Sequence, residues 1–216
     1  ISVAFEDNGN DPGPVVRRLV QEREADWRHI SGLQGGAETI LARNNAIVPW
    51  DTSKIANYGG LWDIVRNIKY THVDGDCYGI PTIINADSMI YRPDLAGPVE
   101  SYEAIFDPLL RGRTAMEDAW INSVIMTAIY LKESGIYKIE QPGNLTETEL
   151  RQVMGFLTEK AKEGQFCRLW NGWSEAVNLI TSGEAYVMTG WEPIVVEARN
   201  RGVDAEYAEP REGFEC

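Results

Sequence analysis

Gly112-Arg113-Thr114-Ala115-Met116-Glu117-Asp118-Ala119-Trp120-Ile121-Asn122-Ser123 is the stretch on which the fold turns. Arg113 to Met116 reads as a short strand. Ile121 to Leu131 reads as a helix, because Ile121, Val124, Ile125, Ala128 and Ile129 keep helical spacing. The corner between them presents the carboxylates of Glu117 and Asp118 and the indole of Trp120. Carboxylates and indole faces both attract positive charge, so such a corner suits capture of a small organic cation. Glu117 and Trp120 also admit the plainer roles of a solvated first-turn acid and a core indole.

The same alternation extends in both directions. Ile1 to Phe5 alternates as a strand, and Asn10-Asp11-Pro12-Gly13-Pro14 turns into a helix with Val15, Val16, Leu19 and Val20 on one face. Ile30 to Leu33 is a second expected strand, Gln34-Gly35-Gly36 a glycine-rich corner, and Ala37 to Arg43 a helix ended by Asn44-Asn45. Tyr78 to Ile84 and Ser88 to Tyr91 are β-rich runs, and Asn85-Ala86-Asp87 between them fits either a hairpin or a crossing between lobes. Thr146-Glu147-Thr148-Glu149 is a capping box opening a helix with Leu150, Val153, Met154, Leu157 and Ala161 on one side. Trp173 to Thr181 is a helix stopped by Ser182-Gly183. Ala185 to Thr189 is a strand that meets Gly190-Trp191-Glu192-Pro193, with Pro193 suited to a first helical turn. The pattern predicts an α/β architecture with helices over a largely parallel sheet.

Composition narrows the function. At 216 residues, 44% hydrophobic and 10% aromatic, the chain has ample material for a core as one large domain or two lobes. A formal charge of −13 disfavours nucleic acid and anionic membrane surfaces as partners, although most of that charge reads as solvated surface. No apolar run reaches spanning length. Cys77, Cys167 and Cys216 form no CxxC pair and have no histidine at metal-ligand spacing, so neither a metal nor a cofactor is expected. His29 and His72 stand alone in polar surroundings. The chain starts without Met, directly in an expected strand, and stops at Phe214-Glu215-Cys216. A segment cut from a longer protein is therefore expected, with any export signal in the flanking sequence.

An ordered set of segments resembles the bacterial extracellular solute-binding proteins of the spermidine/putrescine-receptor group, which serve ATP-driven importers. The set comprises Tyr78-Gly79-Ile80-Pro81, Asn85 to Tyr91, Phe106-Asp107-Pro108, Gly112 to Met116 with Asp118, Ser182-Gly183-Glu184-Ala185, and Glu209-Pro210-Arg211-Glu212-Gly213. The resemblance implies a periplasmic-binding-protein type II-like fold, two α/β lobes joined by crossing strands around a ligand cleft. Residues 1–87 would belong to the first lobe and 88–216 to the second, with the return to the first lobe missing. It implies a monomer in the periplasm or on the outer face of the membrane, capturing a small organic solute such as a polyamine for a membrane permease. Asp118 matches the family's ligand carboxylate, and Asn122 stands where polyamine receptors carry a Glu. Trp191 corresponds, displaced, to the family's ligand-packing aromatic.

Four further candidate residues, at two corners, come from the residues themselves. Glu192 either faces a ligand amine or is a favourable first-turn acid. Gln34, Gly35 and Gly36 either hold an anionic group on free amides or make a tight turn. An anion there and a cation at Asp118 would describe an amino acid derivative or opine. Two other function classes stay in view: a thiamin-degrading-type enzyme on the same fold with Cys77 as nucleophile, and a sensory domain that borrows the fold.

Overall fold

A computed structural model of the chain describes residues 4, 13–22, 36–83 and 86–214. Contacts divide the chain into two units, Ile1–Ile84 and Asn85–Cys216. In the first unit, Val15 lies buried on α1 (Gly13–Glu22), and Leu41 and Ala42 are buried on α2 (Ala37–Arg43). A short α3 (Asp63–Arg66) follows, then a hairpin of β1 (His72–Val73) and β2 (Asp76–Cys77). Asp74 and Gly75 make its turn with φ of 54° and 93°, the two left-handed residues that a tight right-twisted hairpin requires. The expected strands Ile1 to Phe5, Ala4 aside, and Ile30 to Leu33 lie outside the described residues.

The β-rich reading of Tyr78 to Ile84 is corrected here. Residues 78–83 form no strand, and the pairing sits just upstream in β1 and β2. Gly79 and Pro81 interrupt the ladder, since proline lacks the donor a strand needs.

The second unit is built on a five-stranded sheet. Its elements are β3 (Ser88–Tyr91), α4 (Pro93–Ala96), α5 (Glu103–Phe106), β4 (Thr114–Glu117), α6 (Ile125–Glu133), α7 (Glu147–Lys162), β5 (Phe166–Trp170), α8 (Trp173–Ser182), β6 (Val187–Gly190), α9 (Glu192–Asn200) and β7 (Glu206–Tyr207). The strand order is β5-β4-β6-β3-β7. β5, β4 and β6 run parallel, while β3 pairs antiparallel with both β6 and β7. The sheet is therefore mixed, not largely parallel, and Ser88 to Tyr91 belongs to no hairpin with the run before it. β3 enters beside β6 without a crossover helix ahead of it, which frees it from the parallel sense.

Alternation along the strands feeds two cores. Ile90, Ala115 and Met188 face α8 and α9 on one side, with Trp170, Ala176, Val177, Ile180, Ile194 and Val195. Met89, Tyr91, Met116 and Val187 face the other side, with Tyr102, Ile105, Phe106, Met126 and Ile129. All four residues of β3, β4 and β6 are buried, the mark of central strands covered on both faces. The capping box forms as read: Glu149 N donates to Thr146 Oγ1 at 3.3 Å, and Thr146 N donates to Glu149 Oε2 at 2.8 Å. The expected helix from Ile121 begins instead with a π-turn, Trp120–Val124, before α6. Pro193 sits in the first turn of α9.

Gly190 ends β6 in tight quarters: a Cβ there would lie 2.6 Å from Ile90 Cδ1 and 3.3 Å from Ile194 Cδ1, so those side chains would have to shift. Both isoleucines are fully buried. Gly190→Ala should destabilise the chain by about 1–3 kcal/mol through overpacking, read as a lowered denaturant midpoint with an unchanged slope.

Candidate functional site

Strand register brings four backbone positions to one edge of the second unit's sheet. Glu117 ends β4 and pairs with Trp170, the last residue of β5. Gly190 ends β6 and pairs with Ser88, the first residue of β3. Because β3 runs antiparallel, its start coincides with the ends of the parallel strands. Asp87, immediately before Ser88, and Trp191, immediately after Gly190, therefore meet on that edge, where the indole of Trp191 hydrogen-bonds the Asp87 carboxylate. The carboxyl ends of parallel strands are where open α/β sheets take their ligands.

Glu117 is the organising group. It is only 4% exposed, and its backbone and side chain are held from three sides. Its N–H donates to Thr189 Oγ1 at 2.8 Å, its carbonyl accepts from Ser123 Oγ at 2.6 Å, and its Oε2 accepts from Asn122 Nδ2 at 2.6 Å. Oε1 is buried without a hydrogen-bond partner, as is Nε1 of the neighbouring Trp170. Burial pushes the Glu117 carboxyl up to about 6, opposed by the Asn122 hydrogen bond and reinforced by the charge of Asp87. Burial likewise pushes Asp87 up to about 6, opposed by the Trp191 hydrogen bond.

The residues expected from the sequence distribute unevenly. Asp118 is exposed beside Glu117, its N–H donating to the Trp170 carbonyl at 2.8 Å. Glu117 is no solvated first-turn acid, because it is the buried last residue of a strand. Asn122 stands on the π-turn, engaged with Glu117. A carboxylate at position 122 would repel Glu117, so the amide is the side chain this corner can accept. Trp120 opens the π-turn, and its side chain lies outside the described residues. Trp191 is half-buried at the N-terminus of α9 and meets Trp170 edge-on, with ring centroids 5.5 Å apart at 84°. Glu192 is exposed in the first turn of α9.

Gln34 and Gly35 lie outside the described residues; Gly36 has φ of 97°, and its amide donates to Glu38 Oε2 at 2.9 Å. That amide is thus occupied by the chain's own carboxylate. Asp87, Trp170 and Trp173 were not among the expected site residues, although Asp87 lies in the run Asn85 to Tyr91; Trp173 is 43% exposed at the start of α8. An acid directly preceding the run Ser88-Met89-Ile90-Tyr91, apolar after its first residue, was the available signal for Asp87.

Cys77 is buried in the first unit, and the ladder places His72 directly across from it, a neighbour that spacing in the sequence does not reveal. The thiol donates to the Gly79 carbonyl at 3.3 Å, while His72 Nδ1 meets Thr71 Oγ1 at 2.9 Å and the Ile68 carbonyl at 3.3 Å. The thiol's hydrogen bond thus goes to backbone, not to the imidazole. Among the described residues no group of three or more metal-ligating side chains converges, and no helix is long and apolar enough to cross a membrane.

Known proteins supply the context for this geometry. The family described as bacterial extracellular solute-binding protein matches residues 24–214. No curated protein is similar enough to match. Among solved structures, the spermidine/putrescine ABC transporter substrate-binding protein PotD of Streptococcus pneumoniae superposes with a TM-score of 0.64 at 10% identity, covering 83% of this chain and 52% of that one. The TpPotD lipoprotein of Treponema pallidum gives 0.66 at 17% identity, covering 91% and 66%. The binding protein AgtB of Agrobacterium tumefaciens, solved with agropinic acid, gives 0.62 at 17% identity, covering 95% and 57%. At these identities the likeness shows a shared fold, and the chain spans about half the length of the PotD relative.

The elevated Glu117 carboxyl makes a prediction for stability. Its proton is held up to about pH 6 in the folded chain but is lost near the ordinary 4.5 when unfolded. The folded state thus binds more protons between those values, and stability falls as pH rises through them. Glu117→Gln removes this dependence. Its stability relative to the parent should rise by about 2 kcal/mol between pH 4 and pH 7.5, measured by urea melts at both values. A difference that stays constant with pH would refute the buried-charge assignment.

Proposed function

We propose that this chain, which belongs to the family of bacterial extracellular solute-binding proteins, is the solute-capturing portion of a receptor that serves an ATP-driven importer. Its solute is a small cationic or zwitterionic organic molecule such as a polyamine. The observation that carries this reading is the convergence of Asp118, Glu117 and Trp191 on one edge of the second unit's sheet, an acidic and aromatic rim held by strand ends. Asp118 is the exposed carboxylate that accepts hydrogen bonds from a solute ammonium, and Trp191 covers the adjoining methylene groups. Glu192, exposed in the first turn of α9, belongs to the same rim.

Such a receptor does no chemistry: it holds its solute outside the cytoplasmic membrane, in the periplasm or on a lipid anchor, and hands it to a membrane permease. The family of the chain and its PotD-like neighbours favour this over an enzyme built on Cys77. The buried thiol is engaged by the Gly79 carbonyl and the Tyr58 hydroxyl, and not by the His72 imidazole.

A second reading, a binding protein for amino acid derivatives or opines, draws on the likeness to AgtB, solved with agropinic acid. It requires an anion-holding subsite as well as the acidic one. Gln34, Gly35 and Gly36 are its candidates, and the occupation of the Gly36 amide by Glu38 counts against part of it.

The test is a thermal-shift screen of the full-length protein against polyamines, amino acids, opines and quaternary amines, since a solute that binds only the folded state raises the melting temperature. Polyamine stabilisation is the expected result. Asp118→Ala should then weaken binding by about tenfold or more, the loss of one charge-assisted hydrogen bond. Affinity unchanged by that substitution would remove Asp118 from the site.

A further inference from the structure

We propose that Asp87 is a second solute-binding carboxylate, paired with the buried Glu117 across the strand ends, and that together they admit a cationic group and reject neutral or anionic ones. The inference rests on the receptor reading above and adds a residue and a selection rule to it. Register is the first support. β3, β6 and β4 are neighbours, Ser88 pairs with Gly190, and Glu117 donates from its backbone to Thr189, one residue earlier on β6. Asp87 and Glu117 therefore stand at the same edge, on strands flanking β6.

The second support is the state of the polar atoms. Asp87 is half-buried and oriented by the Trp191 indole, so it is the carboxylate a solute can touch. Glu117 is inaccessible, and its Oε1 has no hydrogen-bond partner, an arrangement a fold tolerates where something else supplies compensation. A cation seated at Asp87 relieves both charges at once. An anion adds a further negative charge to that edge, and a neutral solute brings no charge to offset those of the pair.

Protons compete for the same edge. Both carboxyls are pushed up to about 6, Glu117 in part by the charge of Asp87. The other groups facing the pair are Asn122 from the π-turn, Trp191 from the start of α9, and Tyr102, on which the charges of Asp87, Tyr207 and Glu212 act. Asp118 is the adjoining exposed acid. Cation binding favours the deprotonated pair, so affinity should fall as pH drops below about 6 and binding near that pH should expel protons.

The experiment uses calorimetry on the full-length protein with putrescine as the cationic probe and succinate as the anionic one, in two buffers of different ionisation enthalpy. At pH 6, putrescine binding should release on the order of half a proton or more per protein. Asp87→Asn should weaken putrescine binding at pH 7.5 by about tenfold or more, and Glu117→Gln should weaken it in the same direction. Putrescine binding without proton release, or an Asp87→Asn variant that binds as tightly as the parent, overturns the pair while leaving the receptor reading intact. The proton count is taken on the unmodified protein and so does not depend on either variant folding. Succinate binding in place of putrescine overturns the pair and the cationic reading of the solute, while the chain remains a solute receptor. If neither probe binds and the thermal-shift panel is silent, the receptor reading fails and the pair fails with it.

Discussion

A carboxylate that must live at the end of a strand buried on both faces is the constraint around which the second unit is arranged. Helices cover the sheet on each side, so β4 delivers Glu117 out of water and into a medium that penalises its charge. The neighbouring elements answer that penalty. β6 offers the Thr189 hydroxyl to the Glu117 amide, the π-turn offers Ser123 to its carbonyl, and the same turn brings the Asn122 amide onto Oε2. These groups leave one oxygen and much of the charge unanswered. An amide or an apolar residue there would cost the fold less, so the buried acid lowers stability at this strand end.

The antiparallel sense of β3 gives that acid its company. In a wholly parallel sheet the start of β3 would lie at the far edge from Glu117, and Asp87 would be an ordinary loop acid. With β3 reversed, the residue that leads into the second unit arrives where β4, β5 and β6 end. The edge thereby collects carboxylates and indoles from four strands, although each strand contributes only its terminal residue or the one beside it. Local sequence composition at any one of these corners is ordinary; their density in space comes from topology.

Much of this was legible in the chain and some was not, for identifiable reasons. Helices with strong periodicity and explicit stop signals, such as Ala37–Arg43 and Trp173–Ser182, were readable to within a residue or so. The capping box at Thr146 was readable because its two partners sit at a fixed offset. Strand sense was not, because antiparallel and parallel ladders draw on the same apolar residues and differ only in where distant segments return. β5 was hidden because Phe166–Trp170 is an edge strand with Arg168 and Leu169 exposed, a pattern with little alternation. The acidic corner itself was visible. Which of its two acids is buried was not, since that depends on where β4 stops, and the strand runs one residue further than its apolar run implies.

The π-turn at Trp120–Val124 has a consequence for how this corner tolerates a change of length. A π-turn holds one residue more per turn than an α-helix, and each residue added or removed rotates the succeeding residues by roughly 100° about the axis. Deleting a single residue there would return the turn to α-helical hydrogen bonding, so α6 keeps its packing while the residues of the turn itself, Asn122 among them, are re-aimed. A one-codon deletion would thus exchange the partner of Glu117 without rebuilding either core.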